Sequence, residues 1–89
     1  DLYLAKRALE LDEEYQRAKE GAEAIKKVVD EVRKECEKHV DQPDFNEYVL
    51  KLSHVTMDYM QQADTAISYR NSRDELLKLI NEREEVIHL

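Results

Sequence analysis

A chain of 89 residues with 39% charged side chains, one glycine, one proline and no tryptophan has the composition of long helices. A sheet of this size would need more glycine and proline for its turns, and the length allows one domain with a modest core. The net charge of −7 repels phosphate groups, which excludes nucleic acid from the expected partners and disfavours anionic membranes.

The cellular setting is predicted from the cysteine count and from the lack of apolar runs. The single cysteine, Cys36, cannot form an internal disulfide, which favours a reducing compartment. No apolar run approaches the length that crosses a bilayer, and no signal peptide is visible. We therefore expect an intracellular, cytoplasmic protein for which membrane association is not favoured.

The first half of the chain carries an unbroken heptad pattern. Apolar or small residues recur at steps of three and four, as in a helix that packs a narrow stripe against a second helix. We predict this first helix from about residue 2 to residue 39. The stripe consists of Leu4, Ala8, Leu11, Tyr15, Ala18, Ala22, Ile25, Val29, Val32 and Cys36.

Gly21 is the weak point of the first helix. A glycine inside a helix costs about 1 kcal/mol relative to alanine. The stripe nevertheless passes Gly21 in phase, from Ala18 to Ala22, so we expect the helix to continue. The glycine is then either tolerated or a position where a partner backbone comes close.

The strong break in the pattern is the segment of residues 40–43. Pro43 pushes Gln42 away from helical angles, and a proline suits the first turn of a new helix. Asp44 and Glu47 suit the positive end of that helix. We predict a loop at 40–43 and a second helix from about residue 44 to residue 88.

The second helix has a broader apolar face and one ambiguous point. Ser72 followed by Glu75 is a capping-box pattern ahead of Leu76 and Leu77, which could begin a third helix. The predicted fold class is therefore all-α, as one domain over residues 1–89. It is an antiparallel coiled-coil hairpin of two long helices, or a three-helix bundle if the second helix breaks near residues 70–72.

The hairpin is supported by the residues that would face each other. If the chain folds back at Gln42, Ile25 faces Tyr59 and Ala18 faces Ala66. Small residues then meet small residues near the middle of the rod, which suits close helix packing. This match favours the antiparallel arrangement.

Arg73 lies on the apolar line of the second helix, opposite Leu11. A long charged side chain can lay its stem on apolar surface and reach water, here helped by Asp12 or Asp74. Alternatively, it is a polar group that fixes the helix register, as in coiled coils. The sequence leaves both interpretations open.

A strip along the second helix lies beside the predicted contact with the first. Its ordinary interpretation is core against a third helix, and its functional interpretation is a surface that binds another chain. The C-terminal Ile87 extends beyond the first helix and is also predicted to bind a partner. The strip consists of Val49, Thr56, Met60, Ala63 and Ile67.

The sequence offers little for catalysis or metal binding. Cys36 and His39 share a helix face, but a structural zinc site needs four ligands, and the other histidines are His54 and His88. Cys36 is interpreted as a small buried core residue. No carboxylate pair lies on the stripe, and no glycine loop suits a phosphate. We expect no catalytic site, metal or cofactor, and a protein that is not an enzyme.

The predicted function is a helical protein–protein interaction or assembly module. Its expected partner is another helical protein or a second copy, and two hairpins would form a four-helix bundle. The regularity of residues 1–40 also fits an engineered helical scaffold without native activity. The segment Met57 to Leu77 resembles the long helices of sorting-nexin BAR domains. That resemblance implies a fragment of a larger membrane-associated domain, but such a domain needs a basic concave face, which this acidic chain lacks.

Overall fold

The structure, a computed structural model, describes the backbone of residues 2–88 and the side chains of residues 2–84. It contains two helices, α1 (Leu2–Lys38) and α2 (Phe45–His88). They pack side by side and antiparallel in a rod that measures 70 × 17 × 14 Å. The prediction of an all-α hairpin of two long helices is confirmed, with helix ends at residues 38 and 45 rather than 39 and 44.

Helix α2 runs through Ser72 without a break, so the structure is a hairpin and not a three-helix bundle. Ser72 and Glu75 are both exposed on the solvent side of α2. On the other side, Ala66 is buried and Arg73 and Ile80 are partly buried. Because the same face of α2 lies against α1 on both sides of Ser72, tertiary packing favours one continuous helix over a local capping signal.

The turn between the helices is built from backbone hydrogen bonds that span three residues. The amide of His39 donates to the carbonyl of Cys36 at 3.1 Å. The amide of Gln42 donates to the carbonyl of His39 at 2.9 Å, and Phe45 donates to Gln42 at 3.2 Å. Pro43 has no N–H to continue a helical ladder. The chain therefore reverses at the position predicted from its one proline.

Side chains also close the turn. The ring of His39 stacks on the ring of Tyr48, with centroids 4.0 Å apart and an interplanar angle of 19°. The Nδ1 atom of His39 lies 3.2 Å from Oδ1 of Asp44. These contacts connect the end of α1 to the first turn of α2.

The core of the hairpin is a narrow line of small side chains. Among residues 2–84, whose side chains are described, six are buried; five of these lie on the heptad stripe predicted for α1, and the sixth comes from α2. Alanine at most of these positions allows the helix axes to approach closely. The buried residues are Ala8, Leu11, Ala18, Ala22, Cys36 and Ala66.

The space beside Gly21 is filled by a side chain and not by a partner backbone. A Cβ atom at Gly21 would lie 2.9 Å from Nε2 of Gln62, and its next neighbours are also side-chain atoms of Gln62. The same Nε2 donates a long hydrogen bond of 3.5 Å to the carbonyl of Ala18. Gly21 thus leaves room for the Gln62 amide to reach the backbone of α1.

Candidate interaction surface

The strip predicted on α2 lies on the surface of the hairpin. Val49, Met60 and Ile67 are 40%, 57% and 44% exposed, and Thr56 and Ala63 are partly buried. Their helical spacing places them along one side of α2. The remaining predicted contact, Ile87, lies outside the described side chains.

A groove between the helices borders this strip at mid-length. We call it the middle groove, with a volume of about 320 Å³. Its apolar wall is formed by Ala22, Ala63, Ala66 and Ile67. Three of these four residues are alanines, and their short side chains leave the space open. Its other lining residues are Tyr15, Lys19, Glu23, Lys26, Tyr59 and Arg70.

A second groove of about 370 Å³ lies where α1 begins and α2 nears its end. We call it the end groove. Leu9 and Leu77 on its walls are 65% and 49% exposed. Neither residue was among the predicted partner-binding positions. Its complete lining is Ala5, Ala8, Leu9, Asp12, Arg73, Leu77 and Ile80.

The two grooves lie on the same face of the hairpin. On α1, positions 5 and 12 line the end groove and positions 19 and 26 line the middle groove, all in one seven-residue row. On α2, the row of Ala63, Arg70 and Leu77 likewise joins the middle groove to the end groove. Residues seven apart occupy the same side of a packed helix. We call this side the grooved face.

One residue of the end groove, Leu77, could have been predicted from the spacing of the α2 strip. Leu77 is fourteen residues after Ala63, and this spacing places it in the same row as the predicted strip. Leu9 gave no such signal, because it lies one position outside the heptad stripe. Only the pairing of the two helices brings Leu9 beside Leu77 and Ile80.

Other exposed apolar residues of α2 lie away from the grooved face. Leu50 and Met57 are 60% and 56% exposed and seven residues apart. They are about 80–100° around the helix from Val49 and Ile67 and about 60–80° from Met60, at roughly 100° per residue. They line neither groove. They therefore provide a comparison set of exposed apolar residues outside both grooves.

Arg73 borders the end groove and is held by two carboxylates. Its Nη1 atom donates to Oδ1 of Asp12 on α1 at 2.6 Å, and its Nε atom donates to Oδ1 of Asp74 at 3.0 Å. The hydrogen bond to Asp12, followed by that to Asp74, raises the pKa of Arg73 above its usual value. Its side chain is only 20% exposed, so it lies across the helix contact.

The side chains of Cys36 and His39, the candidate metal ligands, both make other contacts in the hairpin. Cys36 is buried in the core, and the ring of His39 is engaged by Tyr48 and Asp44. Within the part of the chain that the structure describes, no three histidine, cysteine or carboxylate side chains cluster as metal ligands would.

No protein-family model matches the sequence, and no curated protein or solved structure matches the chain. Over residues 2–88, neither helix has a segment long and apolar enough to span a bilayer. The grooved face is the candidate functional surface of the described residues.

Proposed function

We propose that the chain is a non-enzymatic assembly module whose hairpins associate in pairs through the grooved face, forming a four-helix bundle. The observation that carries this proposal is the grouping of exposed apolar side chains around two open grooves on one face. Val49, Met60, Ile67 and Leu77 belong to this face on α2, and Leu9 belongs to it on α1.

The energetic reason is the small size of the hairpin core. Only six described side chains are buried, and four of them are alanines. Burying a Val, Leu, Ile, Phe or Met side chain contributes about 1.5–3 kcal/mol. Pairing of two copies would remove several such side chains from water at once, so association and stability are expected to be coupled.

A second copy is favoured as the partner because the face carries both grooves and protruding side chains. Met60 protrudes from the same face as the alanine-lined middle groove. A two-fold interface uses one surface on both partners, so that surface must offer both shapes. The grooved face meets this requirement without a contribution from another protein.

The test is the solution mass measured by light scattering on a sizing column over a concentration series. We expect the wild-type chain to approach twice its mass of 10.6 kDa. The double variant Met60→Glu with Ile67→Glu should be monomeric at the same concentrations. Its circular dichroism should remain mostly helical, because both side chains point to solvent in the isolated hairpin.

The matched control is Leu50→Glu with Met57→Glu. Leu50 and Met57 are 60% and 56% exposed, and Met60 and Ile67 are 57% and 44% exposed. The two double variants therefore introduce the same charge at exposed positions, and the control positions lie further around α2 from the grooves. The control should remain dimeric. A wild-type monomer at every concentration would overturn the proposal, and so would loss of the dimer in the control alone.

A further inference from the structure

The rim of the middle groove is basic, although the chain as a whole is acidic. Three cations line this groove, Lys19 and Lys26 on α1 and Arg70 on α2. Among the described residues that line it, Glu23 is the single carboxylate. Three cations and one carboxylate leave a formal charge of +2, whereas the whole chain carries −7. The middle groove is therefore a local exception to the charge of the protein.

The three cations of the groove are not engaged elsewhere in the hairpin. The arginines at positions 7, 17, 33 and 73 each pair with a carboxylate. By contrast, the exposed side chains of Lys19, Lys26 and Arg70 make no ion pair or hydrogen bond with any other side chain that the structure describes. Their charges are free to meet an anionic group that enters the groove.

The positions of the cations suit a helix that lies along the groove. Lys19 and Lys26 are seven residues apart, which separates them by about 10 Å along α1, at roughly 1.5 Å per residue. In a coiled coil, charged residues with this spacing flank the apolar contact and pair with opposite charges on the neighbouring helix. Arg70 lies on α2, at the other wall of the groove. A helix seated between the walls would therefore meet cations on both sides.

The surface between these cations is apolar and made of small side chains. Its wall consists of three alanines and Ile67, which is 44% exposed. Short side chains allow another helix to approach closely, and the rings of Tyr15 and Tyr59 add apolar surface at the groove. Its volume of about 320 Å³ is within the range of concave binding sites. The groove therefore offers an apolar seat between two charged rims.

We infer that the middle groove binds an amphipathic helix of another protein, with apolar side chains on the alanine wall and acidic side chains beside Lys19, Lys26 and Arg70. The acidic residues facing α1 would be one heptad apart, with no acidic residue opposite Glu23. The helix and a second copy of the chain would use the same face and would exclude each other. The helix site goes beyond the proposed self-association and does not depend on it.

Charge complementarity at the groove is local because salt screens distant charges. At an ionic strength of 0.15 M, interactions between exposed charges fall off over about 8 Å. The rod is 17 × 14 Å across, so a helix in the groove is affected more by the cations on the rim than by carboxylates on the opposite side. The net charge of the chain alone would instead favour a basic partner. The charge of the helix that binds therefore discriminates between the two expectations.

The first test uses two synthetic peptides of about three heptads, roughly 32 Å of helix at about 1.5 Å per residue. Both carry leucine and alanine on one face. The flanking positions are glutamate in one peptide and lysine in the other. Each peptide bears a fluorescent label, and its anisotropy is measured as the full chain is added. The Glu peptide should bind more tightly, and its binding should weaken as salt rises. Tighter binding of the Lys peptide would overturn the inference.

The second test reverses the charge of the groove. Lys19→Glu with Lys26→Glu should weaken binding of the Glu peptide about tenfold, because two attractions become two repulsions. The same variant should bind the Lys peptide more tightly than the wild-type chain does. Circular dichroism should show unchanged helicity, since both side chains are exposed and form no ion pair with a described residue.

The matched control is Lys27→Glu with Lys34→Glu. These two lysines are also exposed and seven residues apart on α1, but neither lines the middle groove. The control therefore makes the same change in net charge at a different side of the helix. It should bind the Glu peptide within about twofold of the wild-type chain, because screening limits the effect of distant charges. An equal loss of binding in both variants would overturn the inference.

Light scattering separates the helix site from the proposed self-association. A monomeric chain that binds the Glu peptide one to one supports the helix site and overturns the proposed dimer. A dimer that the peptide converts into one-to-one complexes supports both. If the Glu peptide fails to bind even at chain concentrations low enough to give a monomer, the helix site is overturned, and the proposed dimer is decided by its own concentration series.

Discussion

Arg73 of α2 and Asp12 of α1 form an ion pair of 2.6 Å that crosses the helix contact. The same guanidinium lies over the ring of Tyr15, 4.9 Å from its centroid. Asp12 and Tyr15 are one turn apart on α1, so Arg73 contacts two points of that helix at once. A shift of either helix by a full heptad would move Arg73 about 10 Å away, at roughly 1.5 Å per residue. This geometry favours the interpretation of Arg73 as a residue that fixes the register.

The first prediction concerns this contact. Arg73→Ala should lower the midpoint of urea denaturation more than Arg7→Ala does, because it leaves Asp12 without its cation and Tyr15 uncovered. Arg7 pairs with Glu10 on the surface of α1, with both side chains 50% exposed. Such a pair contributes at most about 1 kcal/mol. Equal midpoints for the two variants would show that Arg73 acts only as a solvated side chain.

The same contact can be examined with a double-mutant cycle. Asp12→Ala and Arg73→Ala should be less than additive, since either change alone removes their shared interaction. Arg7→Ala with Arg73→Ala, which share no partner, should be additive. All variants are compared at one protein concentration, because association would otherwise alter their apparent stability.

The second prediction is that Gly21→Ala stabilises the hairpin. Alanine gains up to about 1 kcal/mol over glycine inside a helix. The new Cβ would lie 2.9 Å from Nε2 of Gln62, which is the free end of a flexible side chain and can turn away. The loss is the long 3.5 Å hydrogen bond to Ala18. We expect a higher midpoint in urea denaturation.

The control for this prediction is the same change with Gln62→Ala. Without the glutamine there is no steric conflict, so Gly21→Ala should then stabilise by more than it does in the wild type. If Gly21→Ala destabilises the hairpin both in the wild-type chain and in the Gln62→Ala variant, a group other than Gln62 restricts the space beside residue 21.

The third prediction tests the narrow core. Ala18 is 5% exposed, so Ala18→Leu would force the helices apart and should cost about 1–3 kcal/mol of unfolding free energy. Ala24→Leu makes the same change at an exposed position of α1 and should alter stability by less than about 0.5 kcal/mol. Urea denaturation measures both. Comparable effects would contradict the close approach of the two helices at Ala18.

The fourth prediction concerns the salt dependence of association. Each copy carries a net charge of −7, so two copies repel each other, and the proposed contacts are apolar. Salt screens this repulsion over about 10 Å at 0.1 M and about 3 Å at 1 M. The dimer dissociation constant, measured by light scattering, should therefore fall as salt rises. A constant that rises with salt would indicate an interface held by ion pairs instead.

The sequence by itself determined the two helices, the turn and the stripe by which α1 packs. The stripe contains Ala8, Leu11, Ala18, Ala22 and Cys36, the buried residues of α1. Heptad spacing is a local property that can be read along one helix, and Pro43 marks the reversal by a restriction on its own backbone and that of its neighbour. The α2 strip could also be predicted, because Val49, Met60 and Ile67 share a helical side.

Only the tertiary structure decided how these local features combine. The capping signal at Ser72 is overridden, because α2 keeps one face against α1 on both sides of it. The neighbour of Gly21 is the side chain of Gln62, which no pattern along either helix identifies. Leu9 joins Leu77 in the end groove only through the register of the pair. Such contacts depend on the rotation and offset of one helix against the other, which the order of residues along each helix does not contain.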